Sequence, residues 1–150
     1  RGLPAYEISN HARPGAESRH NLTYWRYGEY VGVGPGAHGR FVEKGRRVVT
    51  MAERVPEAWL ELVETRGHGV ADGEVLTRSE EADEFLLMGL RLVEGIDLAR
   101  YEQYAGRPLS SQRLSILQEE GLVEPVGNSR LRVTPSGMIV LDAVVADLAR

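Results

Sequence analysis

The 150-residue chain is 42% hydrophobic and 27% charged, enough for a buried core and for one or two small domains. It contains no cysteine, which excludes disulfides, thiolate zinc sites and cysteine-ligated iron–sulfur clusters within these residues. Net charge is −4 but uneven: residues 1–50 hold eight Arg and Lys against four Glu, and residues 51–150 hold ten against eighteen acids, so the first third favours anionic ligands and the remainder disfavours broad nucleic-acid contact.

LPAYEIS predicts a short strand, and NHARPGAES a loop turning at Pro14 and Gly15. Ser18 is an N-cap candidate for about two helical turns over RHNLTYWRYG, ending at Gly28. That helix would set His20, Tyr24 and Tyr27 on one face. EYVGVG reads as a second strand, GPGAHG as a glycine-rich loop, and RFVEKGRRVVTM as a hairpin turning at Lys44 and Gly45. Pro56 opens a helix through AWLELVETR, and GHGVADG, residues 67–73, is the expected linker.

Beyond it, Ser79 and Glu80 begin an amphipathic helix with Phe85, Leu86, Met88, Leu92 and Val93 on its apolar side, stopped by Gly95. Asp97 caps a short helix over LARYEQYAG, and Ser110 or Ser111 caps a third over SQRLSILQEEG. LVEPV and RLRVT predict a hairpin around Gly127, Asn128 and Ser129, and Thr134 caps a closing helix with Met138, Leu141, Val144, Val145 and Leu148 inward. Three helices, a hairpin and a final helix make a winged-helix-like arrangement. No apolar run approaches the roughly 18 residues of a membrane span, and no stretch of these residues reads as a secretory leader. With no disulfides either, a cytoplasmic location is expected. The chain begins with Arg1 rather than Met and runs at once into a strand-like stretch, as expected of a piece of a longer protein.

GVGPGA, residues 32–37, follows a strand-like run and fits the dinucleotide fingerprint G-x-G-x-x-A. That fingerprint needs a helix opening at the glycines, whereas His38, Gly39 and Arg40 lead into another strand. The other uses for these glycines are a tight turn or close backbone approach to a bound cofactor. A winged helix invites a DNA-binding reading, but the third helix and wing offer only Arg113, Arg130 and Arg132, and residues 76–150 hold eight Arg against twelve acids. An interaction or packing module without DNA is the expectation. His68 lies between glycines, and His11 and His38 sit in loops without zinc-ligand spacing. His20 differs: one turn from Tyr24, beside Trp25 and between Arg19 and Arg26, it suits a haem iron, ring stacking and propionate pairing. Its plain alternative is an aromatic core in which His20 bonds a backbone carbonyl.

YEISN at 6–10, HNLTYW at 20–25, YVGVGPGAHG at 30–39 and EFLLMGLRLVEGIDL at 85–98 closely resemble the second half of the radical-SAM proteins of the oxygen-independent coproporphyrinogen III oxidase-like family, especially its haem chaperone branch. The resemblance implies a mixed α+β chain: C-terminal strands of a partial (β/α) radical-SAM barrel over residues 1–52, a helix and linker over 53–74, and a winged-helix-like C-terminal domain over 75–150. It implies a parent that binds a [4Fe–4S] cluster and S-adenosylmethionine through a three-cysteine motif missing from this sequence, so no catalytic residue is expected here. HNxxYW is the branch's proposed haem-binding motif, filled by His20, Asn21, Tyr24 and Trp25, with His20 as the iron ligand and Arg19 and Arg26 nearby. Gly32, Gly34, Gly36 and Ala37 match the barrel rim expected near S-adenosylmethionine. Haem or a porphyrin, and an apoprotein acceptor, are the implied partners. An oxidative decarboxylase of coproporphyrinogen is the alternative parent.

Overall fold

The computed structural model describes residues 2–150, which divide into two units: one formed by the chain up to Tyr27 together with 78–150, the other by 28–77. The start of the first unit is less regular than LPAYEIS predicts. Ala5 and Glu7 make isolated antiparallel bridges to His11 and Leu92, and the amides of Tyr6 and Ala12 donate to the carbonyls of Asn10 and Pro4. The segment therefore reverses on itself. Helix α1 (Arg19–Trp25) follows, with the Ser18 hydroxyl accepting from the Asn21 amide.

The helix ends before Gly28. Tyr27 takes a left-handed φ of 57°, leaves the helical face predicted for it, and is buried. Its ring packs edge-on against Phe85 and Tyr104, at 5.9 and 5.5 Å between centroids, and its hydroxyl donates to Glu84 Oε2 at 3.1 Å. Left-handed backbone costs a non-glycine residue about 1–2 kcal/mol. Burying a large aromatic ring with a bonded hydroxyl offsets that cost.

In the unit of residues 28–77, strands β1 (His38–Glu43) and β2 (Arg46–Ala52) form the predicted hairpin. Lys44 at φ 50° and Gly45 at φ 76° supply the two positive φ values of a turn whose twist matches the strands. Helix α2 (Pro56–Arg66) begins at its proline and ends at Gly67, whose left-handed φ closes the last turn. The stretch expected as a linker then enters strand β3 (Val70–Val75), which pairs antiparallel with β2 to give the order β1-β2-β3. VADGEV has almost no buried face, so the usual alternation of a strand is missing from its sequence. Gly69 lies so close under Trp59 that an added Cβ would stand 2.1 Å from the indole Nε1. EYVGVG supplies only a bridge from Tyr30 to Arg40.

The first unit resumes with helix α3 (Arg78–Gly89), strand β4 (Ile96–Asp97) and helices α4 (Leu98–Ala105) and α5 (Ser111–Glu119). Strands β5 (Val123–Val126) and β6 (Arg130–Val133) form the wing, and helices α6 (Pro135–Met138) and α7 (Leu141–Leu148) close it. The sheet order is β4-β6-β5, antiparallel throughout. Asp97, Ser110 and Thr134 cap their helices through side-chain oxygens. Helix α3 ends at Gly89 rather than at Gly95, because the chain must turn to bring Ile96 onto it: a Cβ on Gly89 would meet Ile96 Cγ2 at 2.4 Å. The single closing helix predicted after Thr134 is interrupted at Ile139 and Val140, two consecutive β-branched residues. Leu86, Leu90, Tyr101, Leu131, Val144 and Leu148 centre one core, which also takes in Tyr27. Each such side chain contributes about 1.5–3 kcal/mol on burial. The chain is thus of mixed α+β class with small antiparallel sheets.

Candidate functional site

Helix α1 advances about 100° per residue, which puts His20 and Tyr24 on one side and Asn21, Leu22 and Trp25 around the other. His20 is exposed, with its ring edge-on to Tyr24 at 4.6 Å and 89°. Among the described residues no hydrogen bond engages its ring nitrogens. Asn21 points the other way, and its side-chain amide donates to Tyr6 Oη at 3.2 Å. Trp25 is half-buried, with the Arg91 guanidinium 5.7 Å from its ring centroid. Its Nε1 is shielded from solvent and has no acceptor. Of the four motif residues, His20 is exposed, whereas Asn21, Tyr24 and Trp25 are half-buried.

The two flanking cations divide likewise. Arg19 is exposed, and no acid among the described residues engages its guanidinium. Arg26 is held by Glu94 in a two-point contact, Nε to Oε1 at 2.9 Å and Nη2 to Oε2 at 2.8 Å. The hydrogen bond from Arg26 holds the Glu94 carboxyl below the usual carboxylate range, aided by the charges of Arg26 and Arg130 and opposed by burial. The same bond raises Arg26 above its ordinary value.

Arg100 has no place in the sequence reading, yet it fixes the end of α1. From α4, its Nη1 donates to the Arg26 carbonyl at 2.8 Å and its Nη2 to the Tyr27 carbonyl at 3.1 Å. These are carbonyls at a helix end, where no further turn supplies a donor. Nε and Nη2 also donate to Tyr104 Oη, and the guanidinium lies 5.2 Å from the Phe85 ring centroid. Only the proximity of an arginine to a capping Asp97 hints at it in sequence, and that spacing is common.

The glycine-rich segment behaves differently. The amides of Gly36 and Ala37 donate to the carbonyls of Glu53 and Gly34, and the next element is strand β1 rather than a helix, so a dinucleotide cradle is ruled out. A Cβ on Gly32 would stand 2.4 Å from the His38 carbonyl oxygen, so this glycine permits two backbone segments to touch. Gly34 and Gly36 take φ values of 105° and 70°. Val31 and Val33, on either side of Gly32, are exposed. His11, His38 and His68 join no group of metal-ligating side chains among the described residues. The arginines that a DNA reading would use are engaged within their own unit: Arg113 with Asp147, Arg130 with the carbonyls of Glu94 and Gly95, and Arg132 with Glu124. No helix of the described chain is long and apolar enough to cross a membrane.

Residues 76–140 match the sequence profile of the HemN C-terminal domain. The mitochondrial radical S-adenosyl methionine domain-containing protein 1 of Bos taurus is 38% identical over 98% of this chain and 35% of its own length. Heme chaperone HemW of Bacillus subtilis is 36% identical over 81% of this chain and 32% of its own. The structure of coproporphyrinogen III oxidase HemN from Escherichia coli, a radical SAM enzyme, superposes over 99% of this chain and 37% of its own with a TM-score of 0.65 at 17% identity, a likeness of fold. The chain spans about a third of the length of these relatives.

Proposed function

The chain belongs to the HemN/HemW family, and from that premise we propose that it carries the haem-holding surface of a haem chaperone-like protein. The observation behind this reading is the exposed His20 ring, set edge-on to a half-buried Tyr24, on a helix whose other side is anchored. The imidazole nitrogens of His20 are not committed to a backbone carbonyl, so the donor suits a porphyrin iron. His20 would supply a nitrogen donor to the iron of a bound haem, and the Tyr24 ring would lie against the flat apolar face of the macrocycle. Arg19, with no competing acid, is placed to meet a propionate, whereas Arg26 must first leave Glu94. Asn21 and Trp25 hold the helix in place.

Radical chemistry in the wider family would draw its cluster thiolates from outside these residues, since the chain has no cysteine. A role for Gly32, Gly34, Gly36 and Ala37 beside S-adenosylmethionine, and for an apoprotein acceptor of haem, rests on family membership alone. A titration of the chain with haem, followed by the Soret band, tests the proposal. Wild type should give a saturable, ligand-shifted band that His20→Ala loses and that His11→Ala and His38→Ala keep. Loss in either of those two with His20→Ala unchanged would move the site elsewhere, and equal behaviour of all four proteins would make the motif structural.

A further inference from the structure

A cavity of about 440 Å³ opens in the unit that contains α1, yet no residue of α1 lines it. That volume lies within the range of small-molecule sites. Val93, Val133, Pro135 and Met138 give it an apolar wall, while Glu7, Glu124 and Arg132 supply charge. Glu7 is 1% exposed. The hydrogen bonds it accepts come from the Ser9 hydroxyl, at 3.1 and 3.3 Å to its two oxygens. A carboxylate has about four acceptor positions, and one cut off from water by burial requires donors from its surroundings. Arg132 does not provide them, because its Nε and Nη2 both lie 2.7 Å from Glu124 Oε1.

The wall is also fixed in advance. Glu7 bridges Leu92, and the Val93 amide donates to the Tyr6 carbonyl at 3.1 Å, so the buried acid and Val93 sit on one paired stretch of backbone, while β6 and α6 supply Val133 and Met138. The His11 imidazole also lines the cavity, and since Glu124 and Arg132 pair with each other, the formal charge left over is that of Glu7, which favours a cation over an anion. We propose that this cavity binds a small organic ammonium ligand, its apolar body against Val93, Val133 and Met138 and its ammonium donating to Glu7.

Calorimetry and amide chemical shifts of the chain titrated with n-octylammonium, n-octanol and n-octanoate test this. The ammonium should bind about tenfold or more tightly than the alcohol, with shifts centred on Ile8, Val93 and Met138. Glu7→Gln should bring the ammonium down to the level of the alcohol and leave the alcohol unchanged. If Glu7→Gln does not fold, Val93→Trp, at a partly exposed position, should fill the cavity and abolish binding of the ammonium in a protein with an unaltered melting curve. Equal affinity for all three ligands, preference for octanoate, shifts centred elsewhere, or no binding at millimolar ligand would overturn the proposal.

Discussion

The Asn21 side-chain amide donates to the Tyr6 hydroxyl at 3.2 Å, joining the HNLTYW helix to the YEISN segment fifteen residues earlier. Two stretches that read as separate motifs are therefore bonded to each other, and the helix that carries His20 is tied to the earlier segment.

This link should appear as coupling. Asn21→Ala and Tyr6→Phe each remove one side of the same hydrogen bond, so a double-mutant cycle in urea unfolding should give an interaction of about 0.5–1.5 kcal/mol. Strict additivity would mean that the bond contributes nothing in solution.

Arg100→Ala should destabilise the unit containing α1 by about 1.5–3 kcal/mol, since it leaves the Arg26 and Tyr27 carbonyls without their charged donor. Lysine should restore only part of the loss, because a point-like ammonium does not reproduce a planar fork that reaches two carbonyls and a hydroxyl. Full recovery in Arg100→Lys, seen in thermal melts, would show that charge alone mattered.

Acid should weaken the Arg26–Glu94 contact. Because the folded carboxyl is held below its unfolded value of about 4.3, the stabilisation is complete above that pH and is lost as pH falls through the lower folded value. Both side chains are more than two-fifths exposed, so solvent screens the effect and keeps it small. The difference in melting temperature between wild type and Glu94→Gln should shrink between pH 6 and pH 3 (roughly the titration window of a depressed carboxylate) and also in strong salt. A difference that stays constant or grows on acidification would contradict the assignment.

Gly95→Ala should be among the most damaging single-methyl additions in the chain. Gly95 sits at φ 67°, and a Cβ there would stand 2.1 Å from the Leu131 carbonyl oxygen and 2.7 Å from Arg132 Cα. Backbone cannot give way as a side chain can, so a loss of about 3 kcal/mol is expected. Gly127→Ala, left-handed but with open space around the added carbon, should cost about 1 kcal/mol. Denaturant midpoints of the two variants compare clash with strain directly.

Local chemistry made much of the fold readable. Ser18, Asp97, Ser110 and Thr134 each cap the helix that their position predicts, and Lys44-Gly45 turns the hairpin expected of it. What escaped were features decided by distant contacts. Tyr27 leaves its helical face because Phe85, Tyr104 and Glu84, nearly sixty residues on or further, offer its ring and hydroxyl a better environment. VADGEV becomes a strand because β2 offers a free edge, with no hydrophobic alternation to announce it. At the site, the i, i+4 spacing of His20 and Tyr24 was legible, but the inward turn of Trp25 and the engagement of Arg26 were not. Those depend on Arg91 and Glu94, more than sixty residues away.

The chain's two tryptophans fall one in each unit, Trp25 beneath Arg91 and Trp59 against the backbone of Gly69. Each unit consequently carries its own intrinsic fluorophore, and replacing either indole with phenylalanine leaves emission that reports a single unit. Stopped-flow traces of the two single-tryptophan proteins would show whether the two units unfold together or in sequence, with no external label attached.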